Sequence, residues 1–129
     1  MERVSEVKQR FTLADVTERA SATLRTCILH GVTRMRAHVE LDPKVGVRGL
    51  EGVKVLIERY RWAIDIESCV LPQGGLTNNP GTDDLMVAAL KNGATVVGAA
   101  PNDDTDRAAQ IRRVFAMARE FDTGIDRHL

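Results

Sequence analysis

The sequence carries no excess of charge of either sign. Lysine and arginine together number 18, as do aspartate and glutamate, so the formal net charge is zero with neutral histidines. Proteins that bind nucleic acid or anionic membranes tightly usually present a basic surface. The balance therefore argues against nucleic acid as a partner.

Long hydrophobic runs are missing too. No run approaches the roughly 18 apolar residues that cross a bilayer, and residues 1–10 lack the apolar core of a secretory signal. We therefore expect no membrane partner and a cytoplasmic protein. Hydrophobic residues make up 43% and charged residues 28% of the chain, as in ordinary globular domains, so we expect it to fold in water.

Cysteine and histidine are scarce. Cys27 and Cys69 lie far apart and fit neither a disulfide framework nor a zinc motif. We interpret them as small buried hydrophobes in a reducing compartment. With only three histidines, the chain cannot assemble a complete histidine-rich metal site by itself.

What is present is a regular alternation of strand and helix. Apolar side chains at helical spacing predict four helices, and extended runs predict strands that begin near residues 33, 64, 95 and 124. This alternation is typical of parallel βα units. A (β/α)₈ barrel of roughly 250 residues uses about thirty residues per unit, so the chain corresponds to about half a barrel. A small, open, doubly wound sheet is the competing arrangement.

Local signals mark several helix ends. Thr12 and Asp15 predict a capping box at the start of the first helix, and Gly31 predicts its end. The fourth helix is expected to start near Thr105, with the acidic pair 103–104 serving as its N-cap. Its apolar spacing predicts a buried face formed by Ala108, Ile111, Phe115 and Ala118.

Polar residues lie in or just after the carboxyl ends of the predicted strands, where parallel βα folds bind their ligands. Among them are His38, Gln73, Asn102 and His128, and the loop 73–81 is rich in glycine and asparagine. Each residue alone is a weak signal, because a single histidine in a strand is more often a hydrogen-bonded structural residue than a ligand. Their shared location nevertheless makes this edge the expected functional site.

Four motifs resemble the cytosine deaminase branch of the amidohydrolase superfamily in order and spacing. They are residues 36–43 (RAHVELDP), 70–76 (VLPQGGL), 93–101 (GATVVGAAP) and 125–129 (IDRHL). The resemblance implies an α/β fold in which parallel βα units form part of a TIM (β/α)₈ barrel, about strands two to five. Residues 1–129 are then expected to be a partial metal-dependent amidohydrolase domain, truncated at both ends.

The resemblance also implies a chemistry. Family members hydrolyse a C–N bond of a cytosine-like nitrogen heterocycle with water activated by a divalent metal, zinc or iron. Gln73 matches the family's glutamine that binds the amide-like edge of this small-molecule substrate. His128 matches the histidine of the fifth barrel strand at the metal site.

Several family elements have no counterpart in these residues. The His-x-His pair of a first strand does not precede Thr12, and the general acid–base glutamate would fall beyond Leu129. The histidine and aspartate of later strands are also missing. We therefore expect this chain alone to be inactive, and the divalent metal, zinc or iron, is expected of the full-length family. An open half barrel with free edge strands and an uncovered apolar interior is expected to form a homo-oligomer.

Two alternatives remain open at this stage. The first is a freestanding, non-catalytic α/β domain for binding or interaction, with a ligand at the 73–81 loop. The second is a doubly wound regulatory domain in which the acidic pair 103–104 forms the site, although these residues follow the third strand without acids gathered from the first.

Overall fold

Strands and helices alternate along residues 12–128, the part of the chain that the computed structural model describes. The elements are α1 (Leu13–Leu29), β1 (Arg34–Glu40), α2 (Arg48–Tyr60), β2 (Asp65–Leu71), α3 (Thr82–Lys91), β3 (Val96–Ala99), a short 3₁₀ turn (Pro101–Asp103), α4 (Arg107–Glu120) and β4 (Gly124–Arg127). The predicted α/β alternation is confirmed. Within these residues, no helix combines the length and the apolar character that crossing a membrane requires.

The sheet has the strand order of a barrel segment. Its four strands are parallel and lie in sequence order, β1-β2-β3-β4. Val39, Val70 and Val97 of successive strands pack in one core with Met86 of α3 and Met117 of α4. A doubly wound sheet reverses its strand order part-way and carries helices on both faces. The competing doubly wound arrangement is therefore wrong, and the partial TIM barrel is confirmed.

A second apolar cluster joins the first two helices to the sheet. Leu24 of α1 and Leu56 of α2 are buried against Ile66 of β2. Met35 and Ala37 of β1 pack against the same cluster. Alternate residues of β1 therefore face the helices, and the residues between them face the open side of the sheet.

The start of α4 differs from the prediction. The capping residue is Asp106, whose Oδ1 accepts from the backbone N of Ala109 over 2.9 Å. The acidic pair 103–104 lies earlier, in and just after the 3₁₀ turn. Asp104 is unavailable as a cap because its carboxylate is buried and bonded to other groups.

The buried face of α4 also differs. Phe115 is 48% exposed, whereas Gln110 is fully buried: its Oε1 accepts from the backbone N of Ala100, and its Nε2 donates to Asp104. These bonds set the rotation of the helix about its axis, which the apolar spacing alone could not reveal. The residues that α4 buries are Gln110, Val114, Met117 and Ala118.

Candidate functional site

An ion-pair network occupies the open face of the sheet. Arg36 of β1 donates from Nε and Nη2 to Glu67 Oε2 of β2, at 3.0 and 2.9 Å. Its Nη1 donates to Asp126 Oδ2 of β4 at 2.7 Å. The expectation of an apolar interior face is therefore wrong here, because the residues of β1, β2 and β4 that meet on the open side of the sheet are charged.

This network requires a curled sheet. β1 and β4 are the two outer strands, and three strand spacings in a flat sheet would separate them by about 14 Å. Gly98 of β3 lies between them. A Cβ built at this glycine would lie 2.7 Å from Leu71 Cβ and 3.0 Å from Cys69 Sγ. The missing side chain thus lets β2 and β3 approach closely while side chains of the outer strands meet above them.

Two histidines join the same cluster. His38 Nε2 lies 3.3 Å from Asp126 Oδ2, and the rings of His38 and His128 have centroids 4.8 Å apart. The backbone N of His128 donates to Ala99 O over 2.9 Å, which continues the β3–β4 pairing and fixes where this residue leaves the strand. The structure therefore brings the predicted residue His128 beside His38 at the carboxyl edge.

These three side chains form a possible ligand set. One donor atom from each of His38, Asp126 and His128 lies within 4.8 Å of the others. Two imidazoles and a carboxylate are a donor set that zinc and iron accept. Bonded ligands of tetrahedral zinc are roughly 3.4 Å apart, given bonds of about 2.1 Å. The donors are thus chemically suited to a divalent metal, and small side-chain movements would bring them to bonding separations.

The charges around Asp126 keep it ionised. The hydrogen bond from Arg36 lowers the pKa of the Asp126 carboxyl, and His38 adds to this effect. Nearby Cys69 behaves in the opposite way, since burial raises the pKa of its thiol to about 12, with the charge of Asp126 contributing. A protonated, buried thiol is neither a nucleophile nor a metal ligand at neutral pH. Cys69 therefore fits the predicted role of a small buried residue, while Cys27 is half-buried; both are free.

Gln73 lies at the same edge of the sheet, directly after Pro72 at the end of β2. Its Nε2 donates to Asp103 Oδ2 over 2.8 Å. Asn102 is exposed in the adjacent 3₁₀ turn. Gln73, the predicted substrate-binding residue, is thus half-buried and hydrogen-bonded to Asp103. The sequence predicts a different role for Asp103, as part of the N-cap of the fourth helix.

Asp104 anchors the glycine-rich loop 73–81. Its Oδ2 accepts from the backbone N of Leu76 at 2.6 Å and of Thr77 at 3.1 Å, and from Gln110 Nε2 at 2.7 Å; its Oδ1 accepts from the Thr77 hydroxyl. Burial pushes the pKa of Asp104 upward, but these hydrogen bonds outweigh it and hold the pKa well below its ordinary value. Asp103 and Asp104 therefore serve different partners and do not form one acidic site.

Sequence reasoning did not single out Arg36, Glu67 and Asp126. A signal was available in the charged residues that alternate with apolar ones in β1 and β2, which indicates a polar face. No local signal could show that the charge on β4 meets the charge on β1, because that contact depends on the curl of the sheet.

Known proteins share the sequence and the fold of this chain. No family model matches the chain. Two curated relatives match: the uncharacterized protein YahJ of Escherichia coli strain K12, 28% identical over 114 residues, and N-isopropylammelide isopropyl amidohydrolase of Pseudomonas sp. strain ADP, 26% identical over 104 residues. The alignments cover 87% and 79% of this chain but only 25% and 26% of those proteins.

Solved structures similar to this chain are also a deaminase and an aminohydrolase. The 5-methylcytosine deaminase of Klebsiella pneumoniae, liganded with 5-fluorocytosine, superposes with a TM-score of 0.91 at 27% identity, covering 98% of this chain and 31% of that one. N-isopropylammelide isopropylaminohydrolase from Burkholderia multivorans ATCC 17616 superposes with a TM-score of 0.75 at 33% identity, covering 82% of this chain and 28% of that one.

The fold is that of a partial TIM barrel, and the proteins that it resembles define a class, the amidohydrolase and deaminase enzymes. Within that class, the predicted resemblance to the cytosine deaminase-like branch of the amidohydrolase superfamily is confirmed. The chain spans about a quarter of the length of the curated relatives it matches.

Proposed function

We propose that this chain is one segment of a metal-dependent amidohydrolase that hydrolyses a C–N bond of a cytosine-like nitrogen heterocycle. The observation that carries the proposal is the meeting of His38, Asp126 and His128 at the carboxyl edge, in a fold that superposes on 5-methylcytosine deaminase with a TM-score of 0.91. Residues 1–129 would correspond to about strands two to five of the barrel, truncated at both ends. Coverage of 25% to 31% of the matched proteins supports this extent.

His128 is the proposed metal ligand. Its ring stands beside His38 and within reach of the Asp126 carboxylate, so the surroundings can orient an imidazole and balance the charge of a cation. Zinc or iron would suit the nitrogen and oxygen donors. A divalent ion held there would supply Lewis acidity and lower the pKa of a bound water.

Gln73 is the proposed contact to the heterocycle. A carboxamide offers one acceptor and two N–H donors, which suits the amide-like edge of a pyrimidine or triazine ring. Its position directly after β2 places it at the same edge as the histidines.

The isolated chain is proposed to be inactive and to assemble with further copies. Among the described residues, the group of side chains that could hold a metal consists of three, His38, Asp126 and His128, all at this one edge of the sheet. Two free thiols are in keeping with a reducing compartment, so we also propose a cytoplasmic location. Turnover of cytosine or a triazine by the purified chain with added zinc would contradict the expected inactivity.

Zinc affinity tests the metal role directly. It can be measured on the purified chain by competition with a chromophoric chelator, for wild type, His128→Ala and the control His30→Ala, which removes an exposed histidine at the C-terminal end of α1. We expect His128→Ala to weaken zinc binding by more than about tenfold and His30→Ala to leave it unchanged. Equal affinities in the two variants, or no binding by wild type, would contradict the proposed ligand.

A further inference from the structure

The side chains of Gln73 and Asp103 form a hydrogen bond between the segments that follow two neighbouring strands. Gln73 follows β2 and Asp103 lies in the turn after β3, and these strands pair in parallel. The Nε2 to Oδ2 distance of 2.8 Å is that of a good hydrogen bond. Asp103 is exposed and Gln73 half-buried, so both can be reached by a ligand at this edge.

This contact decides which way the amide of Gln73 points. At neutral pH an aspartate carboxylate accepts hydrogen bonds and cannot donate them. Only the NH₂ end of the carboxamide can therefore face Asp103, and Oε1 must point to the other side. Without the acid, the amide could present either end to a ligand.

The turn that carries Asp103 is itself held against the Gln73 loop. The neighbouring Asp104 carboxylate accepts from the backbone N of Leu76 and of Thr77. Asn78 Nδ2 adds a long contact of 3.5 Å to the backbone O of Asp103. These bonds fix the separation of the two segments, so the orientation of the amide is built into the fold.

We propose that Asp103 determines specificity by holding the Gln73 amide with Oε1 available to the ligand. The site then selects nitrogen heterocycles that present an N–H or NH₂ donor at this edge, over rings of similar shape that present only acceptors. This inference rests on the proposed function, in which Gln73 contacts the ring. Asp103 is a positioning residue, since it acts through Gln73.

The test compares two rings of similar shape, 2,4-diaminopyrimidine and 2,4-dimethoxypyrimidine, which differ in whether they carry N–H donors. Binding to the full chain is followed by NMR on the side-chain amide signal of Gln73, assigned by its loss in Gln73→Leu. The variants are Asp103→Ala, Asp103→Asn, whose carbonyl can still accept from Nε2, and the control Asp84→Asn, an exposed acid on α3.

We expect wild type and Asp84→Asn to bind the diamino ring about tenfold more tightly than the dimethoxy ring, the worth of one well-placed hydrogen bond. Asp103→Ala should bring the ratio close to one, and Asp103→Asn should restore most of the preference. In the free protein, Asp103→Ala should also shift the Gln73 amide signal, whereas Asp84→Asn should not.

The outcomes separate this inference from the proposed function. Equal binding of both rings by wild type, or a Gln73 signal unaffected by Asp103→Ala, would overturn the role of Asp103 and leave the heterocycle site standing. If Asp103→Asn loses the preference for the diamino ring as fully as Asp103→Ala does, the orientation argument is overturned. The negative charge of Asp103, and not its hydrogen bond to Gln73, would then explain the preference. Binding of neither ring, with or without zinc, would overturn both.

Discussion

Arg36 Nη1 lies 2.7 Å from Asp126 Oδ2 and so links the first strand of the sheet to the last. The same guanidinium donates to Glu67 on β2, one of the two strands between them. One cation on β1 thus neutralises a carboxylate on β2 and another on β4, and it does so on the face where the histidines gather. The ion pairs that span the curled sheet therefore also supply charged side chains of the candidate site.

Removing this cation should loosen the curl. Arg36→Gln leaves Glu67 and Asp126 as neighbouring carboxylates without a counter-charge, and like charges at close range destabilise the fold. The matched control is Arg34→Gln, which breaks a pair with Asp65 that is exposed on both sides and is therefore expected to contribute little. We expect the urea midpoint to fall in Arg36→Gln and to stay near wild type in Arg34→Gln. Equal midpoints for the two variants would argue against the network as a stabilising element.

A methyl group at position 98 should disturb the same region. The Cβ of Gly98→Ala would lie 2.7 Å from Leu71 Cβ, 3.0 Å from Cys69 Sγ and 3.2 Å from the backbone O of Val70. Overpacking of this kind costs about 1–3 kcal/mol of unfolding free energy. In Gly124→Ala the added Cβ meets nothing within 4 Å, so this variant should unfold almost as wild type does. Denaturant unfolding of the pair measures the difference, and an unchanged Gly98→Ala would show that the strands can separate without cost.

Among the described acids, Asp104 should be the one whose substitution lowers the unfolding free energy most. In Asp104→Asn the new NH₂ group must face donors, because both carboxylate oxygens accept hydrogen bonds from N–H or O–H groups. We expect a loss of about 2–4 kcal/mol in unfolding free energy. The exposed Asp84 provides the control: Asp84→Asn should change stability little. A small effect of Asp104→Asn in urea unfolding would mean that the loop finds other partners.

Acid should destabilise the protein through the same residue. Because the pKa of Asp104 is held below its ordinary value in the folded state, the unfolded chain takes up a proton at about pH 4 while the folded chain does not. Its contribution to stability is complete above that pH and is lost as the pH falls toward the lower, folded-state pKa. Unfolding free energies measured from pH 6 down to pH 3 should fall less steeply in Asp104→Asn than in wild type. Parallel curves would assign the acid sensitivity to other carboxyl groups.

Assembly should follow from the free strand edges. In the described residues β1 and β4 each pair with one neighbour, and unpaired edges of parallel strands invite further pairing. We expect a dimer or larger assembly by light scattering at micromolar concentration. A monomer under those conditions would contradict this expectation. The free edges are its basis, because the interior face of the sheet is charged and not apolar.

Much of the fold could be predicted because its signals are local. The capping box of Thr12 with Asp15 is present as expected, and Gly31 follows α1 with a positive φ of 81°. Such signals depend on hydrogen bonds within a few residues. The rotation of α4 could not be predicted in this way, because it is set by bonds from Gln110 to residues outside the helix.

The candidate site also has a part that the sequence predicts and a part that only the folded structure reveals. His128 and Gln73 could be selected because each lies near the carboxyl end of a predicted strand, and parallel strands end at a common edge. Their contacts with Asp126 and Asp103 could not be predicted, since neither contact is visible without the distances between strands. Asp104 shows the same limit: as one of two acids before a helix it resembles a cap, yet it bonds a loop that lies more than twenty residues earlier in the chain.

The sequence by itself determined the alternation of parallel βα units, the helix starts with local caps, and the edge at which polar residues collect. These features follow from periodicity and short-range hydrogen bonding, which the order of residues encodes directly. Only the tertiary structure decided that the sheet curls enough for Arg36 to reach Asp126 and for His38 to stand beside His128. That outcome depends on strand order, on close packing at Gly98 and on charges brought together from distant segments, and these interactions exist only once the chain has folded.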